Sequence, residues 1–340
     1  MAWSELHENH LVSSSGDGSI ALWDTSHAAP GAGPSTRPLA HWRRHTREVF
    51  SLSWSPLQKH LFASSSWDGT VRIWSPERAG MEVTMLCLSP DGPALPTVQA
   101  QPAANTAAGP GAPPQPSATA PCVYTCAFSP HSPDLIACGA GDGFVRVYDL
   151  RIPSPANAQG GSGNQAAQPV ALLPVLGEVL SLDWNKYMPG TIATGSTDRS
   201  VKVWDLRAAL QPSTSSSRPP AQQPVVLPGQ GSSLLSSSPP VPHPAAHAYA
   251  VRHVAFSPHA SHLLASASYD MSARIWDTSL GGLGGGMSSI VGTASTASLV
   301  QRHDAHSEFV AGVEWSLFQP GLVASCAWDS EVHLWRAPVR

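Results

Sequence analysis

Six aspartates and three histidines are the residues here whose type and recurrence could do chemistry: Asp17, Asp68, Asp142, Asp198, Asp270 and Asp329, with His45, His247 and His306. Carboxylates beside imidazoles are the raw material of general acid–base and nucleophilic catalysis. Their spacing points elsewhere. Each Asp stands six residues before an aromatic, namely Trp23, Trp74, Tyr148, Trp204, Trp276 and Trp335. Each of the three His stands nine residues before a second aromatic, Trp54, Phe256 or Trp315. Groups that recur in register have a repeated structural post. A buried Asp beside a His and a Ser or Thr ties a turn to its strands, and the aromatic packs over them. No G-x-S-x-G elbow, phosphate loop or H-E-x-x-H occurs. The chain therefore reads as a protein without catalytic residues, without a cofactor and without a metal. Cys122 and Cys126 are four apart, but no His or Cys pair completes a zinc site. The five Cys lack framework spacing and read as reduced core thiols.

The elements that must position these residues are short strands. Val49 to Trp54 is β-branched and aromatic, Leu61 to Ser66 is small and apolar, and Thr70 to Trp74 alternates. Ser55-Pro56 breaks the first pair and Asp68-Gly69 supplies the second turn. Three strands alone are marginal, so the unit belongs to a larger array. It recurs at 3–24, 45–75, 122–149, 176–205, 247–277 and 306–336. The pattern resembles the WD40 repeat, one propeller blade per copy. The expected fold is a single all-β WD40 propeller over residues 1–340, with six recognisable blades. The copies at Asp142 and Asp198 lack the His, which predicts two looser blades.

Successive motif Asp residues lie 51, 74, 56, 72 and 59 apart, against roughly 40–45 in a standard repeat. The excess is low-complexity sequence at about 90–121, 153–169, 208–244 and 280–297. Rich in Pro, Gly, Ser and Ala, these segments bury too little apolar surface to order themselves. The short runs VALLPVL before Glu178 and VVLP at Val225 read as outer strands of neighbouring blades. The first blade starts partway along its inner strand and five residues follow Trp335. The expectation is either an open array or a chain lacking its natural beginning, the second being preferred.

The net charge of −4 argues against sequence-independent binding of nucleic acid. No run of about 18 apolar residues exists, so no membrane span is expected. What remains is a rim. Glu48, Glu178 and Glu308 fall just before inner strands, and Trp67, Tyr269 and Trp328 just before motif Asp residues. Carboxylates beside exposed rings suit a basic, amphipathic peptide.

EVFSLSWSP, ASSSWDGTVRIW, LSLDWNKYMPGTIATGSTDRSVKVWDLR, HAYAVRHVAFSPHASHLLASASYD and HSEFVAGVEWSLFQPGLVASCAWDSEVHLW together resemble the receptor family for the type 2 peroxisomal targeting signal (PTS2). The resemblance covers all six blades and fails only in the biased insertions. It implies a seven-bladed propeller that binds an N-terminal nonapeptide, Arg-(Leu/Val/Ile)-five residues-(His/Gln)-(Leu/Ala), as an amphipathic helix. The peptide Arg would meet Glu48, Glu178 and Glu308, and its apolar residues Trp67, Tyr269 and Trp328. The implied partners are PTS2-bearing cargo, a co-receptor like the long form of the receptor for the C-terminal tripeptide signal, and the peroxisomal docking complex. The implied location is cytoplasm and peroxisome, by shuttling. Two other readings stand beside this one. Val147 to Arg151 and Val203 to Arg207 match the WDxR form of cullin-RING ligase adaptors, and a generic WD40 scaffold fits the repeats alone.

Overall fold

The structure, a computed structural model, describes residues 1–4, 6–26, 37–78, 81–87, 120–152, 168–206, 225–226, 247–278 and 298–338. The alternating segments form six antiparallel sheets in chain order, each running outward from an inner strand. Blade 1 is Ala2–Trp3, His10–Ser14, Ser19–Asp24 and Ala40–Arg43. Blade 2 is Val49–Trp54, Phe62–Ser66, Thr70–Ser75 and Met81–Cys87. Blade 3 is Val123–Phe128, Leu135–Ala140, Phe144–Asp149 and Ala171–Pro174. Blade 4 has three strands among the described residues, Val179–Trp184, Thr191–Ser196 and Val201–Asp205. Blade 5 is Val251–Phe256, Leu263–Ser268, Ala273–Asp277 and Ser298–His303. Blade 6 again has three among the described residues, Val310–Trp315, Leu322–Ala327 and Val332–Arg336.

One expected outer strand is placed differently. Ala171–Pro174 closes blade 3 as read, but Val225–Val226 pairs in parallel with that same strand and extends blade 3, not blade 4. A two-residue strand needs only a free edge, and sequence spacing does not say whose edge. The predicted insertions lie outside the described residues, apart from 120–121, 168–169 and 225–226.

The core sits between blades. Ile20 and Leu22 of blade 1 meet Trp54, Phe62 and Trp74 of blade 2. Val71 and Ile73 of blade 2 meet Phe128 and Tyr148 of blade 3. The pattern repeats through blades 3 and 4, 4 and 5, and 5 and 6. Among the described residues no buried apolar cluster joins blade 6 to blade 1. Inner strands of neighbouring blades run side by side in the same direction. The Phe128 N–H donates to Ser53 Oγ at 3.4 Å, Val254 N–H to Ser181 Oγ at 3.1 Å, and Phe256 N–H to Asp183 Oδ2 at 2.7 Å. Inner-strand indoles reach back to the preceding blade, Trp184 to the Ala127 carbonyl (3.1 Å) and Trp315 to that of Ala255 (2.9 Å).

Inside each blade the motif residues take their structural post. In blade 2 the Trp74 indole donates to Ser64 Oγ at 2.8 Å. His45 bridges Ser64 (2.7 Å) and Asp68 (2.9 Å), and Asp68 accepts the Thr46 and Thr70 amides at 3.1 and 3.0 Å. Blades 5 and 6 repeat this with His247 between Ser266 and Asp270, and His306 between Ser325 and Asp329. Burial pushes the Asp68 and Asp270 carboxyls up, but bonds from His, Thr or Ser and a backbone amide outweigh it and hold both well below the usual carboxylate range. Blades 3 and 4 lack the His. A cation four residues on pairs with the Asp in both, Arg146 with Asp142 and Lys202 with Asp198 at 2.8 Å, as Arg274 does with Asp270 beside His247. Asp17 and Trp23 in blade 1 bond to Ser19 and Ser13 instead. In blade 4 the Trp204 indole donates to Thr194 at 3.0 Å.

The residue after each motif Asp closes a three-residue loop whose last member is left-handed, as such hairpins require. Gly18, Gly69 and Gly143 supply it with φ of 84, 80 and 82°. Arg199, Met271 and Ser330 adopt it at 70, 63 and 66° without that freedom. Cys126 and Cys138 face each other across two strands of blade 3 as buried free thiols, and burial pushes both up to about 12.

Candidate functional site

In blades 2 to 6 the residue before the motif Asp bonds its amide to the loop before that blade's inner strand. Trp67 N–H donates to the Glu48 carbonyl at 3.0 Å, Gly141 to Cys122 at 2.8 Å, and Thr197 to Glu178 at 3.0 Å. Tyr269 donates to Ala250 and Trp328 to Phe309, both at 3.1 Å. Because the inner strands run the same way, these ten residues share one rim. All six rim candidates lie there.

The same bonds fix their register. Glu48 and Glu178 are equivalent, each accepting from the residue before the Asp. In blade 6 that acceptor is Phe309, so Glu308 sits one residue early, at the place of Arg47 in blade 2. The reading that three blades repeat one Glu is therefore corrected to two. The rim acceptor lies six residues before the inner aromatic in all three blades, so the Glu has moved and the strand has not.

The rim divides into two aromatic groups. At blades 2 and 3 the rings of Phe50 and Trp67 stack at 5.5 Å and 16°, and Tyr124 meets them edge-on at 5.6 and 6.0 Å. Arg47 lies 5.7 Å over Trp67 and Arg252 5.1 Å over Phe50. Glu48 is 3.8 Å from Arg47, both side chains being close to half exposed. The Tyr124 hydroxyl donates to Glu178 Oε2 at 3.2 Å. Burial first, then the Glu178 charge and that bond, push the Tyr124 phenol up to about 12. It therefore stays a donor across the physiological range. At blades 5 and 6 Tyr269, Phe309 and Trp328 form a second group, with centroids 5.2 to 6.1 Å apart. Trp328 is 64% exposed, and Glu308 beside Phe309 is exposed. Trp67, Glu48 and Glu178 thus belong with one group, and Tyr269, Trp328 and Glu308 with the other.

Beside the first group the inner strands of blades 2 to 5 line a cavity of about 350 Å³, whose wall includes Phe50, Ser53, Tyr124, Thr125, Ser181 and Arg252. Phe50, Tyr124 and Arg252 were missed from sequence. The signal was available: each sits two residues after the rim acceptor of its blade, where the first inward-facing position of the inner strand falls. The arrangement offers exposed rings, carboxylates at their edge and a polar channel. It has the chemistry of a surface that holds a peptide. Of the two WDxR-like segments, Arg151 folds back on Asp149 at 2.6 Å, while Arg207 lies outside the described residues.

Antiparallel blades tied by Trp–Ser–His–Asp networks, with loops and rings gathered at one rim, define a WD-repeat propeller. The family described as "WD domain, G-beta repeat" matches residues 36–75, 115–149, 173–205 and 240–277. Over 337 residues the chain is 34% identical to the peroxisomal targeting signal 2 receptor of Saccharomyces cerevisiae, covering 98% of this chain and 82% of that one. The protein of the same name from Komagataella phaffii is 32% identical over 98% of this chain and 81% of its own length. That from Mus musculus is 29% identical over 98% and 76%. The chain belongs to the family of peroxisomal targeting signal 2 receptors, which are WD-repeat receptors and not enzymes.

Proposed function

We propose that this protein is the receptor that binds the N-terminal PTS2 nonapeptide of peroxisomal matrix proteins and carries them to the peroxisome. Family membership supports the ligand class. The observation that carries the reading is the Glu178 carboxylate held by Tyr124 at 3.2 Å beside the Phe50–Trp67 stack. An amphipathic helix places its Arg and its apolar residues on one face, and this part of the rim meets both at once. The Arg displaces or shares the tyrosine hydrogen bond to form a charge-assisted pair. The apolar side chains lie on Trp67 here and on Tyr269 and Trp328 across the channel. Loading takes place in the cytoplasm, a co-receptor like the long form of the tripeptide-signal receptor covers the helix, and the complex meets the docking complex at the peroxisome.

The test is fluorescence anisotropy with a labelled Arg-Leu-x5-His-Leu nonapeptide. Saturable binding is expected, weakened at least about tenfold when the peptide Arg becomes Ala, the loss of roughly one buried charged contact. Glu178→Arg should weaken binding most. Glu48→Arg should do less, because Arg47 already screens that carboxylate. Glu308→Arg should do least, being displaced by one residue. Unchanged affinity in all three variants removes these carboxylates from the site, and equal affinity for both peptides overturns the reading.

A further inference from the structure

The fourth residue after the motif Asp is a cation in blades 2 to 5: Arg72, Arg146, Lys202 and Arg274. Three of these reach back to their own Asp, Lys202 at 2.8 Å, Arg274 at 3.0 Å, and Arg146 likewise. Blade 6 has His333 there, and its ring does something else. It lies flat on His306, with centroids 3.9 Å apart and planes 10° apart. Its Nδ1 stands 3.1 Å from Nε2 of His303, the last residue of the outer strand of blade 5. Its Nε2 stands 2.9 Å from Glu331 Oε2. His303 is fixed in turn by a parallel stack on Trp335 at 4.8 Å and 4°. Ring nitrogens of the three histidines lie within 4.8 Å of one another.

We propose that His303 and His333 form a metal site bridging blades 5 and 6, for a divalent ion of the Zn²⁺, Ni²⁺ or Cu²⁺ class. Imidazole nitrogen is the preferred ligand of these ions. Glu331 accepts the Nε2 proton of His333, which fixes the tautomer and leaves the Nδ1 lone pair facing His303. A carboxylate behind a ligating imidazole is the usual outer-shell partner in such sites. Two Zn–N bonds of about 2.1 Å at a tetrahedral angle set the two nitrogens about 3.4 Å apart. The observed 3.1 Å needs an opening of only about 0.3 Å. Stacking on Trp335 and His306 holds both rings in place, so little freedom is lost on binding. The His333 side chain is 22% exposed, which leaves an approach for the ion and room for water ligands. His306 keeps its bonds to Asp329 and Ser325 at 2.9 Å each and acts as a wall of the site, not a ligand.

The probe is Zn²⁺ alone, titrated calorimetrically into the chelator-stripped full chain at about pH 7.5, where imidazole is neutral. One ion per chain is expected, with a matching rise in the thermal unfolding midpoint, because an ion that binds only the folded state stabilises it. His333→Arg restores the cation that four other blades carry and should fold normally in chelator. It should lower Zn²⁺ affinity at least about tenfold, as should His303→Gln. Unchanged affinity in both variants overturns the proposal and places the ion elsewhere, for instance at His7 and His10, whose rings lie 4.6 Å apart. No saturable uptake by the unaltered chain overturns it too, and leaves the His303–His333 contact as a hydrogen bond. Neither outcome bears on peptide binding, which uses other residues of the rim.

Discussion

Blade 2 and blade 6 carry nearly the same third strand, TVRIW and EVHLW after the motif turn, yet they live in different surroundings. Val71 and Ile73 are 0 and 1% exposed, covered by blade 3. Their counterparts Val332 and Leu334 are 67 and 70% exposed. Both strands alternate, both pair in register with the strand before, and both bond their Trp indole to a Ser. Alternation therefore specifies which side chains share a face of the sheet. Whether each face is buried is a property of the array, because one blade's core is half supplied by the next.

The comparison is sharpened most by truncation. Ile73→Ala should cost about 2–4 kcal/mol in urea unfolding, through lost transfer energy and a cavity between blades 2 and 3. Leu334→Ala should change stability by less than about 0.5 kcal/mol, as exposed substitutions do. A cost at Leu334 approaching that at Ile73 breaks the comparison, since it means the blade 6 face is covered in solution.

A smaller effect separates the motif carboxylates. Asp68→Ala should cost about 1–3 kcal/mol, because it strips His45 and two backbone amides of their shared acceptor. The same change at Asp329 should cost less, since Asp329 accepts from His306 and the Ser307 and Glu331 amides but has no counterpart of the hydroxyl bond that Thr70 gives Asp68. The pH dependence has a definite sign. The Asp68 and Asp270 carboxyls are held below their unfolded value of about 3.9. The unfolded chain therefore takes up protons first. The stability these groups contribute is complete above about pH 4 and is lost as pH falls through their folded values. Asp68→Asn should flatten that acid limb in a melt series from neutral to acid pH. An unchanged slope means the carboxylate is not charged in the folded blade.

These differences mark what could be read from sequence. The six strand-turn-strand units and the posts of Asp68, His45 and Trp74 were legible, because periodicity and hydrogen-bond chemistry are local. The ion pairs of Arg146 and Lys202 with their own motif Asp were not, since an exposed-looking cation gives no sign that it folds back on a carboxylate four residues away. At the rim, residue types pointed correctly to one edge of the sheets. Glu308 was nevertheless misaligned, although it lies seven residues before Trp315 where Glu48 and Glu178 lie six before Trp54 and Trp184. Phe50, Tyr124 and Arg252 come together across three different blades, and His303 meets His333 across two. Contacts of that kind depend on how neighbouring sheets stack, which no single repeat encodes.

The smallest expected effect lies in the turns. Gly69 of blade 2 has φ of 80°, and a Cβ built there would stand 2.5 Å from Cβ of Ala120, which leads into blade 3. Ser330 of blade 6 occupies the same place at φ of 66° and already carries a side chain. Gly69→Ala should therefore cost about 1–2 kcal/mol, from left-handed strain and from pressing on Ala120. Ser330→Gly relieves the strain but loosens the unfolded chain, so a gain of at most about 1 kcal/mol is expected by thermal melting. If Gly69→Ala proves neutral, the turn of blade 2 is as free of its neighbour as that of blade 6. The two blades would then differ only in their apolar faces, and the packing between blades would not reach the rim where the rings are displayed.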